Sequence, residues 1–111
     1  MRVPHTPMLA QTVKAAAAVT ANRFVGYGGT HAAAGARPRG ISDYDAESGQ
    51  LVTLTVLGTQ RVAAGGPFNP GDELQAGADG KAVVKAAGVR CAIAQEASAG
   101  DGSVVTVLLT P

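Results

Sequence analysis

The groups in this chain with chemical potential are two histidines, His5 and His31, one cysteine, Cys91, and the carboxylates Asp43, Asp45, Glu47, Asp72, Glu73, Asp79, Glu96 and Asp101. A metal centre gathers His, Cys and carboxylate ligands at short, defined spacings. His5 stands in a Pro-containing N-terminal stretch and His31 in an Ala/Gly-rich one, and neither has such neighbours. A cysteine nucleophile needs a base and an activating polar setting. Cys91 lies instead in the expected buried strand Val89 to Gln95, where a free thiol acts as a small hydrophobe. Nearly all the carboxylates fall in or beside turn sequences such as Asp45-Ala46-Glu47-Ser48-Gly49, where Asp serves by accepting backbone hydrogen bonds. Gly26-Tyr27-Gly28-Gly29 is glycine-rich but belongs to no strand–helix unit, so a phosphate cradle lacks its context. The residues predict no catalytic centre, no metal site and no cofactor.

What remains is a question of shape. At 111 residues the chain is one domain with a modest core. Its hydrophobic fraction of 46% is largely Ala, and aromatics make up only 4%, so few large side chains are available for burial. A core this thin suggests that stability is shared with a partner or with further copies. The net charge is +1 and the basic residues are scattered along the sequence, which argues against a nucleic-acid grip built on a basic stripe. One cysteine excludes an internal disulfide. Met1-Arg2 leads into Val3-Pro4-His5-Thr6-Pro7 without an apolar signal-peptide core, and no run reaches the roughly twenty apolar residues of a membrane span. The expected setting is a reducing cytoplasm, or something assembled there.

The elements read as strands. Pro4 and Pro7 make residues 1–12 an extended N-terminal arm, carrying Val3, Met8 and Leu9. Residues 13–19 hold four alanines, yet Thr12, Val13, Val19 and Thr20 favour an extended chain. Strands are expected at Arg23 to Tyr27, at Pro38 to Tyr44, and most clearly at Gln50 to Leu57, where Val52, Leu54 and Val56 alternate with Thr53 and Thr55. Gly58 marks a bend or bulge before the strand resumes at Thr59 to Ala63. Glu73 to Gln75, Ala82 to Val84 after the Asp79-Gly80 turn, Val89 to Gln95 and Ser103 to Leu109 complete the set.

The chain also repeats itself. Val19 to Gly26 is answered by Phe68 to Gln75, Arg39 to Ser42 by Arg90 to Ala94, and Leu51 to Val56 by Val104 to Leu109, at offsets of 49 to 53 residues. The expectation is an all-β domain over residues 13–111, a small sandwich or barrel of two similar units at about 13–63 and 64–111, preceded by the arm.

Taken in order, Ala18 to Gly26, Gly40-Ile41-Ser42, Val52 to Thr59, Pro70 to Leu74, Ala78 to Val83 and Ala94 to Asp101 resemble tailed-bacteriophage capsid cement proteins, also called head decoration proteins. The likeness spans roughly Val13 to Leu109 and consists of common small residues, so the order and spacing carry it. The resemblance implies a β-rich virion protein on the exterior of the capsid, made in the host cytoplasm, that clamps neighbouring major capsid protein subunits. It implies a homo-oligomer, a homotrimer or a dimer, with no direct nucleic acid and no membrane among its partners. The arm and the segment from Thr30 to Arg39 depart most from the family pattern. Pro4, Pro7, Met8 and Leu9 are therefore the expected contacts with the capsid or a neighbouring subunit. Two alternatives compete: a small β-barrel module binding a glycan or peptide through Tyr27, Tyr44, Phe24 or Phe68, and an enzyme subunit with a site between chains near Asp43, Asp45 or Cys91.

Overall fold

In a computed structural model, which describes residues 6–109 and side chains from residue 10 onward, every regular element is a strand apart from one 3₁₀ turn at Ala78–Gly80. The strands are β1 (Thr6–Lys14), β2 (Phe24–Val25), β3 (Gly40–Ser42), β4 (Leu51–Ala63), β5 (Glu73–Ala76), β6 (Ala82–Val84), β7 (Ala92–Ala94) and β8 (Val104–Leu109). They form one antiparallel eight-stranded sheet, ordered β2-β3-β4-β8-β7-β5-β6, with β1 also on β4.

The alternation legible from residue 50 onward builds β4, the longest strand at 13 residues. Val52 and Leu54 are buried early in the strand and Val62 late in it, while Leu51 and Arg61 face solvent. Gly58, with φ +105°, supplies the expected bend. Thr55 lies opposite both Ala10 of β1 and Ile41 of β3. Gly58 and Thr59 lie opposite Pro7 and Thr6 of β1 and also Leu109 and Leu108 of β8. A strand has two edges. So β1 takes one edge of β4, and β3 followed by β8 takes the other.

Residues 6–12, expected as an arm apart from the domain, are extended but stand within it. β1 runs through residue 12 to Lys14 and pairs with β4 over its whole length, with register shifts on either side of Leu9. The physical reason is that β4 would otherwise present a bare edge, and Val13 packs against the apolar cluster that Val52 and Leu54 build. The strand expected at Val89 to Gln95 is shorter, confined to Ala92–Ala94. Gly88 and Val89 are held instead by cross-loop bonds, Gly88 to Gln75 Oε1 at 2.9 Å and Val89 to the Gly35 carbonyl at 3.1 Å.

Hydrogen bonds recur across the two halves at the sequence offsets. Ala15 donates to Gln50 and accepts from Gly49, as Ala64 does with Ser103 and Gly102. Val19 and Ala46 exchange both backbone bonds, as do Phe68 and Ser98. Asn22 and Gly71, both left-handed at φ 61° and 90°, donate to Ser42 and Ala94. The ladders correspond too: Val13 faces Val52 in β1–β4, and Val62 faces Val105 in β4–β8.

Two apolar clusters result. One holds Ala15, Val19, Val25, Ala46, Val52 and Leu54. The other holds Ala64, Phe68, Leu74, Val105 and Val107 at the corresponding positions, and adds Phe24, Ile41, Val62, Cys91 and others. Around the second cluster the path β4-β8-β7-β5-β6 returns to the chain just after β4. There Ala82 bridges Ala64 and Gly65 donates to the Ala82 carbonyl at 2.7 Å.

Gly80 shows how tightly the halves meet. Its φ is +71°, and a Cβ there would stand 2.5 Å from the Phe24 carbonyl oxygen. Gly28 has open space and no such backbone constraint. Gly80→Ala is expected to lower stability by about 1–3 kcal/mol, whereas Gly28→Ala stays within about 0.5 kcal/mol of the parent. Urea unfolding of both variants checks this, and equal midpoints would contradict it.

His31 Nε2 accepts the Thr20 N–H at 3.0 Å. Burial, with Arg23 nearby, holds its pKa below the ordinary 6.5. Glu96 Oε1 accepts the Thr106 N–H at 2.7 Å, a bond that lowers its pKa below the ordinary 4.5. Both groups bind protons less readily in the fold than in the unfolded chain. Their stabilising contributions are complete above the unfolded values and decline as pH falls. Thermal unfolding followed from pH 7 to 3 should show Tm falling first just below about 6.5, then below about 4.5. His31→Gln should flatten the upper decline, and an unchanged profile in that variant would refute this role.

Candidate interaction surface

Of the residues expected to make contacts, Pro7, Met8 and Leu9 fall in β1, with Pro7 opposite Gly58 and Leu9 opposite Leu57. Pro4 and His5 lie outside the described residues. The register shifts beside Leu9 make this the irregular end of the β1–β4 ladder. Further along β1, Ala10, Gln11 and Thr12 are exposed. Gln11 Oε1 accepts from Arg39 Nε at 3.0 Å, and the Arg39 guanidinium lies 5.8 Å from the centre of the Tyr27 ring. That distance is within cation–π range. Tyr27, at 67% exposure, is thus an aromatic with one face engaged by Arg39.

The basic residues that are scattered in sequence converge in space. Arg37, Arg39 and Arg90 line a cleft with Cys91 and Leu109 whose free volume, about 30 Å³, matches a single water. Arg37 and Arg90 continue from there to Lys85, with Glu73 as the acid among them, bound to Arg90 at 3.1 Å. Sequence reasoning misses this grouping because it forms only when the loop ending at Arg39 meets the segment before β7.

The groups weighed for chemistry have structural partners. Cys91 is buried, its Sγ 3.3 Å from the Val89 carbonyl oxygen, and burial raises its pKa away from a reactive thiolate. Asp43 Oδ1 accepts from Thr55 Oγ1 at 3.0 Å and from Gln60 Nε2, fixing two buried polar residues of β4. Asp72 accepts from the Asn69 backbone at 2.9 Å, the turn role expected of it, whereas Asp45 accepts from the backbone of Ala21, 24 residues away, at 2.7 Å and ties two segments together. Glu96 and Tyr44 fill corresponding places: each accepts a β-strand N–H, from Thr106 and Thr53 respectively. Among the described residues no three His, Cys, Asp or Glu side chains gather at a metal-binding geometry. None of these groups is assembled for catalysis. The surface offers a strand edge, a basic cluster and isolated exposed apolar residues, which suits binding to another protein.

The family model described as phage cement protein matches residues 3–109. The crystal structure of the head fiber gp8.5 N base in bacteriophage phi29 is similar to this chain, with a TM-score of 0.77 at 27% identity, covering 92% of this chain and 93% of that one. No match was found among curated protein sequences. With its sheet, its two clusters and nearly all its length inside that match, the chain belongs to the phage cement protein family, a family of structural phage proteins rather than enzymes.

Proposed function

We propose that this protein binds the exterior of an assembled phage head and reinforces the lattice of the major capsid protein. The observation that carries this is the family match over residues 3–109, supported by the likeness to a phage head fiber base. The physical character of the chain agrees with the role. A clamp repeated over a lattice needs a rigid, non-catalytic body and modest contacts multiplied by copy number. A homotrimer, or a dimer, suits a head built on local symmetry axes. The partner contacts are proposed at Pro7, Met8 and Leu9, at the irregular start of β1, and at Pro4, which lies outside the described residues.

The test must leave the sheet intact. Deleting residues 1–12 would strip most of β1 from β4 and confuse lost binding with lost folding. The double variant Met8→Ser/Leu9→Ser is therefore compared with the parent on heads lacking the cement protein. Parent protein should add stoichiometric density to the head exterior in electron micrographs and raise the temperature at which heads break open. The double variant, with unchanged thermal unfolding in isolation, should bind at least about tenfold more weakly, a loss of about 1.4 kcal/mol. Failure of the parent to bind heads would overturn the function, and equal binding by the double variant would overturn the assignment of contacts.

A further inference from the structure

We infer that the outer edge of β1, at Ala10 to Thr12, receives an extended segment of the major capsid protein as an additional strand; the inference rests on the capsid-binding function proposed above. The direction of the backbone groups follows from Ala15, which turns both its N–H and its C=O toward Gln50 and Gly49, just before β4. In an antiparallel ladder this orientation alternates. Val13 and Gln11 therefore bond toward β4, while Ala10 and Thr12 point theirs away from it. The same alternation turns the Thr53 carbonyl toward β3, where it accepts from Asp43 at 3.0 Å. Among the described residues no strand pairs with this outer edge. It is bounded on one side by Pro7 and the register shifts, and on the other by Gly29, whose backbone closes on the Lys14 carbonyl.

The rest of the chain shows how the equivalent edge is treated. At the recurring offset β1 corresponds to the second half of β4: Ala10 faces Thr55 as Thr59 faces Leu108, and Gln11 faces Leu54 as Gln60 faces Val107. On β4 that edge is used. Thr59 has Thr6 of β1 beside it, and the Arg61 N–H is capped by Gln60 Oε1 at 2.8 Å. On β1, Gln11 is the counterpart of Gln60, but its Oε1 is turned to Arg39 instead. The Thr12 N–H, counterpart of that of Arg61, has no partner among the described residues. One half of the molecule thus covers and caps this edge, and the other half leaves it open.

The occupant follows from which edges remain. Inside the chain, this kind of edge is met by the opposite edge of a neighbouring strand, and on β1 and β4 those opposite edges are already taken by β4, β3 and β8. A second copy can offer this same short edge, where Pro7 and the Gly29 loop keep self-pairing brief. It can also offer the outer side of β6, which Ala64 and Gly65 already bridge at Ala82 and which leaves even less strand to pair. A capsid segment adds its strand alongside the other contacts of a lattice site, which makes a short pairing sufficient.

Two measurements test this on cement protein bound to heads. Hydrogen exchange resolved to single amides, with the unmodified chain, should show Ala10 and Thr12 exchanging quickly in free protein and at least about tenfold more slowly on heads. Gln11 and Val13, already paired to β4, should change less. Benzoylphenylalanine placed at Thr12 should photo-cross-link to a capsid-protein peptide. Stoichiometric binding without protection at Ala10 and Thr12 overturns this inference and leaves the proposed function standing. Cross-links joining two cement copies overturn it in favour of self-pairing. Absence of binding overturns both.

Discussion

The shared strand β4 is what the rest of this structure depends on. Its edge along residues 51–59 carries β1, and its other edge carries β3 and then β8, so both halves of the chain hydrogen-bond to one 13-residue segment. Its side chains divide the same way, with Val52 and Leu54 entering one apolar cluster and Val62 the other. The bend at Gly58 stands where the strand passes from one half to the next. A chain with so few large side chains cannot rely on volume of core. It relies on the continuous ladder of backbone hydrogen bonds that runs through β4 to β1, β3 and β8.

Much of this is legible in the sequence, and the reason is the period. The alternation from Val52 to Val56, the Asp79-Gly80 turn and the closing strand to Leu109 follow from rules that act over a few residues. What fails to show is anything decided by pairing across long separations. The extended character of residues 6–12 is readable from Pro7 and its neighbours, but their place on β4 is settled by the β4 edge some 45 residues away. The Val89–Gln95 run looks like a longer strand because its composition is apolar, whereas contacts from Gly35 and Gln75 hold Gly88 and Val89 as loop. The basic cluster of Arg37, Lys85 and Arg90 likewise exists only in the folded chain. The recurrence at offsets of 49 to 53 is visible in sequence as weak similarity, and it reappears in the structure as matched hydrogen bonds around Ala15 and Ala64.

The structural roles of the polar side chains and the membership in a structural phage family belong together. Side chains that serve elsewhere as nucleophiles, bases or ligands here complete turns and strand ends. Asp43 fixes Thr55 and Gln60, Glu96 caps Thr106, and His31 accepts from Thr20. Polar groups used in this way hold a surface in a fixed shape. A fixed shape is what a structural phage protein has to offer.

The dependence of both halves on β4 is tested most directly by following them separately during unfolding of Leu54→Ala. This change removes a side chain buried in the first cluster only, at an expected cost of about 2–5 kcal/mol. Amide signals of Val52 and Val105, followed by nuclear magnetic resonance through a urea titration, report on the two halves. If β4 couples them, both signals disappear at one midpoint, and the substitution moves that midpoint equally for both. A variant in which Val52 melts early while Val105 keeps the parent midpoint would show the halves to be independent and the account wrong.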